Sequence, residues 1–249
     1  MEKYMISIER DGAVQIIRMD RVEKKNALTQ AMYMDMAEAL KSEDESIRCH
    51  VMLGRPGVFT AGNDIADFLK AAMSGEGLEA GGVGKFLGAL HQPSKPVIAG
   101  VDGPAIGVGT TMLLHFDMVF ATENALFKTP FTDLGIIPEA GSTLIGPQIM
   151  GYHKAFEMLA LGESFTAEMA REAGFVNHVV KPEELEERVM AIAQKVASKP
   201  QNALRISREL LRGKREPLNE RIFEEIAMFA ELLKSDEARE AFMKFMSKA

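Results

Sequence analysis

Apolar positions alternate at the start of the chain and then switch to helical spacing. Residues 4–9 and 14–19 read as short strands, with Asp11-Gly12 between them as a hairpin signal. Over residues 30–40, Met32, Met36, Ala39 and Leu40 recur as one helical face. Residues 50–54 and 96–101 are short apolar runs that read as buried strands, and two more are expected at 117–121 and 125–128. Gly75, Gly77, Gly81, Gly82 and Gly84 mark a surface loop, with helix resuming over 85–90. Residues 103–109 read as a tight turn feeding a helix that runs to about His115. From Gly141 the pattern is nearly all helical, interrupted at Gly151, Gly162, Gly174, Pro182, Pro200 and Pro217. Within 219–233, Ile222, Ile226, Phe229 and Leu233 form an apolar face to be covered by the same chain or by another subunit.

Strand–helix alternation followed by helices implies an α/β core with a C-terminal helical subdomain, divided here as residues 1–195 and 196–249. With 249 residues and 47% hydrophobic content, the chain can bury a sizeable core. Its net charge of -7 gives no overall field for nucleic acid or anionic membrane, so neither is expected as a partner. The single cysteine, Cys49, cannot form an intrachain disulfide. The start MEKYMISIER lacks a basic segment followed by an apolar one. Both features point to a cytoplasmic protein. The five histidines are scattered without metal-ligand spacing, so no metal is expected. Neither a Gly-x-x-x-x-Gly-Lys-Ser/Thr loop nor a Gly-x-Ser-x-Gly elbow occurs.

Three segments carry candidate chemistry. In Phe59-Thr60-Ala61-Gly62-Asn63-Asp64-Ile65, small residues follow a strand and precede a helix. They let a ligand approach the backbone, or they form an ordinary turn capped by Asp64. The run from Ala99 to Thr111 repeats that plan, and Gly107 and Gly109 serve either an anion at a helix start or close strand–helix packing. The third runs from Thr129 to Ser142 and places one carboxylate, Glu139, among Ile136, Ile137, Pro138 and Ala140. In a dry pocket its pKa rises toward the acid/base range; otherwise it begins the next helix at the surface.

These segments, with Asp20-Arg21-Val22-Glu23-Lys24-Lys25-Asn26-Ala27-Leu28-Thr29 before them and Ala238-Arg239-Glu240-Ala241-Phe242 near the end, resemble the crotonase (enoyl-CoA hydratase/isomerase) superfamily. The resemblance runs over essentially the whole chain. It implies a spiral of β-β-α units with a helical C-terminal part, assembled as a homotrimer or dimer of trimers. It also implies an acyl-CoA thioester as substrate in fatty-acid metabolism, with no permanently bound cofactor. Carried over residue by residue, the backbone N–H groups of Asn63 and Val108 form the oxyanion hole. CoA follows Lys24, Lys25, Ala27, Ala61, Gly62, Asp64, Ile65 and Gly107, although Lys24 and Lys25 also read as plain surface lysines. Ile106, Phe131, Leu134 and Ile136 line the acyl pocket, and Phe131, Leu134 and Ile106 keep water from Glu139.

The family's hydratases carry two glutamates at positions that hold Thr111 and Phe131 here, which speaks against hydration. Glu139 instead resembles the single glutamate of 3,2-enoyl-CoA isomerases, within the Thr129-to-Glu139 pattern. The resemblance therefore implies isomerisation by a 1,3-proton shift with Glu139 catalytic. The alternatives are hydratase-like, dehalogenase or hydrolase chemistry on acyl-CoA, or a catalytically silent acyl-CoA-binding protein.

Overall fold

The computed structural model describes residues 5–72, 81–91, 93–214 and 216–247. In chain order the strands are β1 (Ile6–Asp11), β2 (Val14–Met19), β3 (Cys49–Leu53), β4 (Val97–Val101), β5 (Pro104–Ile106), β6 (Met118–Thr122), β7 (Leu126–Lys128), β8 (Phe165–Thr166) and β9 (His178–Val180). The α-helices are α1 (Gln30–Leu40), α2 (Ile65–Ala72), α3 (Gly82–His91), α4 (Val108–Thr111), α5 (Ser142–Ala155), α6 (Ala167–Glu172), α7 (Leu185–Ala197), α8 (Gln201–Arg212), α9 (Glu216–Leu232) and α10 (Asp236–Met246).

One sheet has the order β1-β2-β3-β4-β6-β9 and is parallel from β2 onward. A smaller sheet, β5-β7-β8, packs beside it. Every residue of β2, β3 and β4 is buried, as expected of parallel strands covered on both faces. Ile17, Met19, Met52 and Ala99 meet Met32, Met36, Phe86 and Leu90 of α1 and α3. Ile16, Val51, Leu53 and Ile98 meet Leu185, Val189 and Ala193 of α7. The sheet thus divides two apolar layers, and the strand period of two assigns each side chain to one of them.

The hairpin forms one residue later than its signal. β1 runs to Asp11, which pairs with Val14, so Gly12-Ala13 make the turn. Tyr4, Gly75 and Gly77 lie outside the described residues. Gly82 and Gly84 were expected in a loop and belong instead to α3. Close approach explains this: a Cβ on Gly82 would stand 2.4 Å from the Gln30 carbonyl oxygen. The Gln30 side chain also accepts the Gly82 N–H at 2.7 Å. The glycine there serves contact with α1. β5, β8 and β9 fall in stretches read as turn or helix; at two or three residues each they are too short to show a period. The helix expected to reach His115 is α-helical for one turn only and continues as a 3₁₀ turn over Met112–His115.

In the C-terminal part, α9 and α10 pack on the segment between β7 and α5. Phe229, Ala238 and Phe242 pack with Phe68, Phe131 and Ile136 in a third apolar cluster. The apolar face read at 219–233 is therefore covered within the chain at Ile222 and Phe229.

Candidate active site

The site begins where two loops are tied edge to edge. Thr60 N–H donates to the Pro104 carbonyl at 2.9 Å, and Ile106 N–H donates to that of Thr60 at 3.0 Å. On the other side Leu28 N–H donates to Gly62 and Asp64 N–H donates to Leu28, at 2.8 and 2.9 Å. Ala61 N–H donates to Lys25 at 2.9 Å, so Lys24, Lys25, Ala27, Ala61 and Gly62 lie along one strip. Gly62 has φ +86°, and a Cβ there would sit 2.8 Å from the Ile106 carbonyl oxygen. That glycine lets the two loops meet. Asn26, fully buried, holds the corner by donating to the Phe59 carbonyl at 3.0 Å and accepting Arg21 N–H at 2.7 Å.

Asp64 is committed to structure. Its carboxylate pairs with Arg21 at 2.8 Å and accepts Asp67 N–H at 3.2 Å, at the start of α2. Arg21 and the α2 amides hold its pKa below the usual range. Lys24 and Lys25 are exposed beside this strip.

Two small cavities meet at the loop ends. One, of about 30 Å³, is lined by Tyr33, Asn63, Phe68, Val108, Glu139 and Phe229, with Val83, Gly84, Leu87 and Ile226 beyond them. The other, of about 90 Å³, includes Ala61, Gly62, Ile65, Ile106, Gly107, Phe131, Leu134 and Ile136. Asn63, Phe68, Val108 and Phe229 line both. The structure thus brings Glu139 to Asn63 and Val108, and places Ile106, Phe131, Leu134 and Ile136 in the adjoining chamber. The cavity that holds Glu139 is walled by Tyr33, Phe68, Leu87, Ile226 and Phe229, while Phe131, Leu134 and Ile106 line the adjoining one.

Among the described residues, neither Asn63 N–H nor Val108 N–H has a protein acceptor. Both are available to a carbonyl oxygen placed between the chambers. A single α-turn has little macrodipole, so the local N–H groups dominate at Val108. The Asn63 side chain is fixed by Tyr33, whose hydroxyl donates to Asn63 Oδ1 at 2.6 Å. Burial, then the charge of Glu139, push the Tyr33 phenol well above its usual pKa, so it remains a neutral donor.

Glu139 as a residue is half-buried, while its carboxyl group is enclosed. Burial pushes its pKa up to about 7, the Thr111 hydrogen bond opposes the rise, and the Glu225 charge adds to it. Thr111, fully buried on α4, donates to Glu139 Oε1 at 2.5 Å. A carboxyl that titrates near neutrality can both take and return a proton.

Larger grooves occur elsewhere. One of about 440 Å³ includes Arg205, Arg208 and Arg212, and one of about 330 Å³ includes Arg18, Arg55 and Glu186. Their charges are spent on internal pairs, namely Arg205–Glu209, Arg208–Asp117 and Arg18–Glu186. Among the described residues no three His, Cys, Asp or Glu side chains converge as a metal-ligand set.

Tyr33, Phe68 and Glu225 were not singled out from the sequence. Tyr33 sits on the buried face of α1, where an aromatic reads as core. Glu225 lies among the charged residues of α9, and its partners are more than eighty positions away.

The family described as "Enoyl-CoA hydratase/isomerase" matches residues 9–249. Enoyl-CoA delta isomerase 2 of Rattus norvegicus is 36% identical over 99% of this chain, which spans 64% of that protein's length. The peroxisomal enoyl-CoA delta isomerase 3 of Mus musculus is 34% identical over 98% of this chain and 79% of its own. A solved enoyl-CoA hydratase/isomerase from Pseudoalteromonas atlantica T6c superposes with a TM-score of 0.93 at 35% identity, covering 98% of both chains.

Proposed function

Because the chain belongs to the enoyl-CoA hydratase/isomerase family, we propose that it is a 3,2-enoyl-CoA isomerase with Glu139 as its acid/base. The observation that carries this reading is the enclosure of the Glu139 carboxyl in one cavity with two backbone donors, Asn63 and Val108. The thioester oxygen lies between those N–H groups. Glu139 removes a proton from the carbon next to the thioester, and the 3,4 double-bond electrons delocalise with the resulting pair. The negative charge is carried largely on the thioester oxygen. Each N–H stabilises it by on the order of 3 kcal/mol. The protonated Glu139 then delivers the proton two carbons further along, leaving the 2,3 double bond. One carboxyl serves both steps, and no water is consumed.

Thr111 and Phe131 support this over hydration. Phe131 is apolar, and the Thr111 hydroxyl is committed to Glu139, so neither can activate a water. Delta isomerase relatives support it as well. The substrate is an acyl-CoA whose nucleotide end follows Lys24, Lys25 and Ala61, with no resident cofactor. The assembly is a homotrimer or dimer of trimers in the cytoplasm. Apolar surface at Tyr152, Phe156, Leu210 and Leu211 favours association. No described helix is long and apolar enough to cross a membrane.

The test compares turnover of a 3-enoyl-CoA by wild type and Glu139→Gln. A loss of at least about a hundredfold is expected, the lower scale for removing a general acid/base. An equal rate in the variant would reject the role of Glu139. A wild type inert on every acyl-CoA, yet binding CoA, would favour the silent binder.

A further inference from the structure

Glu139 occupies a conformationally demanding turn. The next residue, Ala140, has φ +63°, and Gly141 has φ +68°. A non-glycine residue in this region persists only where its surroundings hold it. Two groups do so from outside the turn. His115 Nε2 bonds the Ala140 carbonyl oxygen at 2.7 Å. Glu225, on α9 and only 2% exposed, accepts Gly141 N–H at 2.5 Å, Thr143 N–H at 3.1 Å and the Thr143 hydroxyl at 2.6 Å. Gly141 stands at the N-cap of α5 and has no side chain to satisfy the helix amides. A carboxylate from another helix supplies the cap. Both of its oxygens act as acceptors; burial pushes its pKa up, and the Thr143 and Gly141 hydrogen bonds and the Arg221 charge oppose that and favour the ionised form.

We propose that Glu225 is a positioning residue for the reaction: it fixes the Glu139 turn to α9 and sets the electrostatic environment of the catalytic carboxyl. The proposal rests on the isomerase reading and deepens it. Phe229 and Ile226, on the same helix, wall the Glu139 cavity. One helix therefore shapes the chamber and also anchors the acid that works in it. The titratable groups around Glu139 come from three places: Tyr33 on α1, His115 after α4, and Glu225 on α9 with Arg221 beside it. Of these, Glu225 brings a like charge, which disfavours ionisation of Glu139. Its removal eases that ionisation, so the acidic limb of a pH–rate profile moves to lower pH.

The test uses full-length Glu225→Gln and Glu225→Asp. Glu225→Gln is expected to lower kcat about tenfold with little change in KM, on the scale of a small misplacement of a catalytic group. Its acidic limb moves down. Glu225→Asp keeps the charge and shortens the reach, so kcat falls while the limb stays near that of wild type. In the free protein, carbon-13 NMR of labelled glutamate carboxyls reads the Glu139 titration directly, with the Glu139→Gln spectrum as assignment control. Folded Glu225→Gln with unchanged kcat, limb and Glu139 titration would overturn the proposal. If Glu225→Gln does not fold, Glu225→Asp carries the test, and an unchanged kcat there overturns it equally. A shifted Glu139 titration beside an inactive wild type would sink the isomerase reading alone.

Discussion

Replacing Thr111 with Val removes the hydroxyl's short bond to Glu139, along with a long 3.5 Å contact to the Val108 carbonyl, and preserves the buried shape, so its effect can be worked out in advance. Thr111 donates to Glu139 Oε1 at 2.5 Å and thereby favours the ionised carboxylate. A hydrogen bond to a charged group is worth about 1.5–3 kcal/mol. At about 1.4 kcal/mol per pH unit, its loss raises the Glu139 pKa by about one to two units. From a starting value of about 7, the basic fraction at pH 7 falls from about one half to between about a tenth and a hundredth. kcat/KM for a 3-enoyl-CoA at pH 7 then drops about five- to fiftyfold, and near pH 9 the gap closes to about twofold at most. Steady-state rates of wild type and Thr111→Val across this range measure both effects. A folded Thr111→Val enzyme with its acidic limb in place would refute the reasoning. The displacement is opposite in sign to that expected of Glu225→Gln, so a general loosening of the site cannot produce both.

Glu139 also bears on stability. Its folded pKa of about 7 lies above its ordinary 4.5, so the folded state keeps a proton that the unfolded state releases. The resulting destabilisation is absent below pH 4.5, grows as pH rises to 7, and is constant above that, at about 3 kcal/mol. Urea unfolding should find Glu139→Gln gaining stability relative to wild type by that amount between pH 4 and pH 8; a difference independent of pH would contradict it. At the nucleotide end, Lys24→Ala and Lys25→Ala should each raise KM up to about fivefold, in a salt-dependent way, with kcat unchanged, the scale of an exposed ionic contact. Unaltered KM in the double variant would return both lysines to plain surface.

β3 and β4 were legible as short, mostly apolar runs, and β2 as the partner of β1 across the Asp11-Gly12 hairpin signal, although Gln15 and Arg18 interrupt it. The two Gly-rich loops and Glu139 stood out as small residues after strands and a lone carboxylate in an apolar stretch, but each also read as an ordinary turn or surface position, and it was the family resemblance that joined them into one site. Other features are set by partners distant in sequence. Phe229 announced an apolar face, but not that Phe68 would meet it edge-on at 6.0 Å between ring centroids, beside the cavity. Tyr33 reads as core until its hydroxyl is seen on Asn63. Glu225 reads as surface charge until the α5 amides are seen on its oxygens. Gly82 shows the opposite failure: its composition suggested a loop, and contact with Gln30 made it helical.

A crystal structure of Glu139→Gln with a 3-enoyl-CoA bound would examine the core of this account at the reacting atoms. The thioester oxygen should lie within hydrogen-bonding distance of both Asn63 N–H and Val108 N–H, about 2.7–3.1 Å. The residue 139 carboxamide should lie against the second and fourth acyl carbons, on one face of the chain. An acyl group seated elsewhere, with those two amides bonded to water or protein, would contradict it.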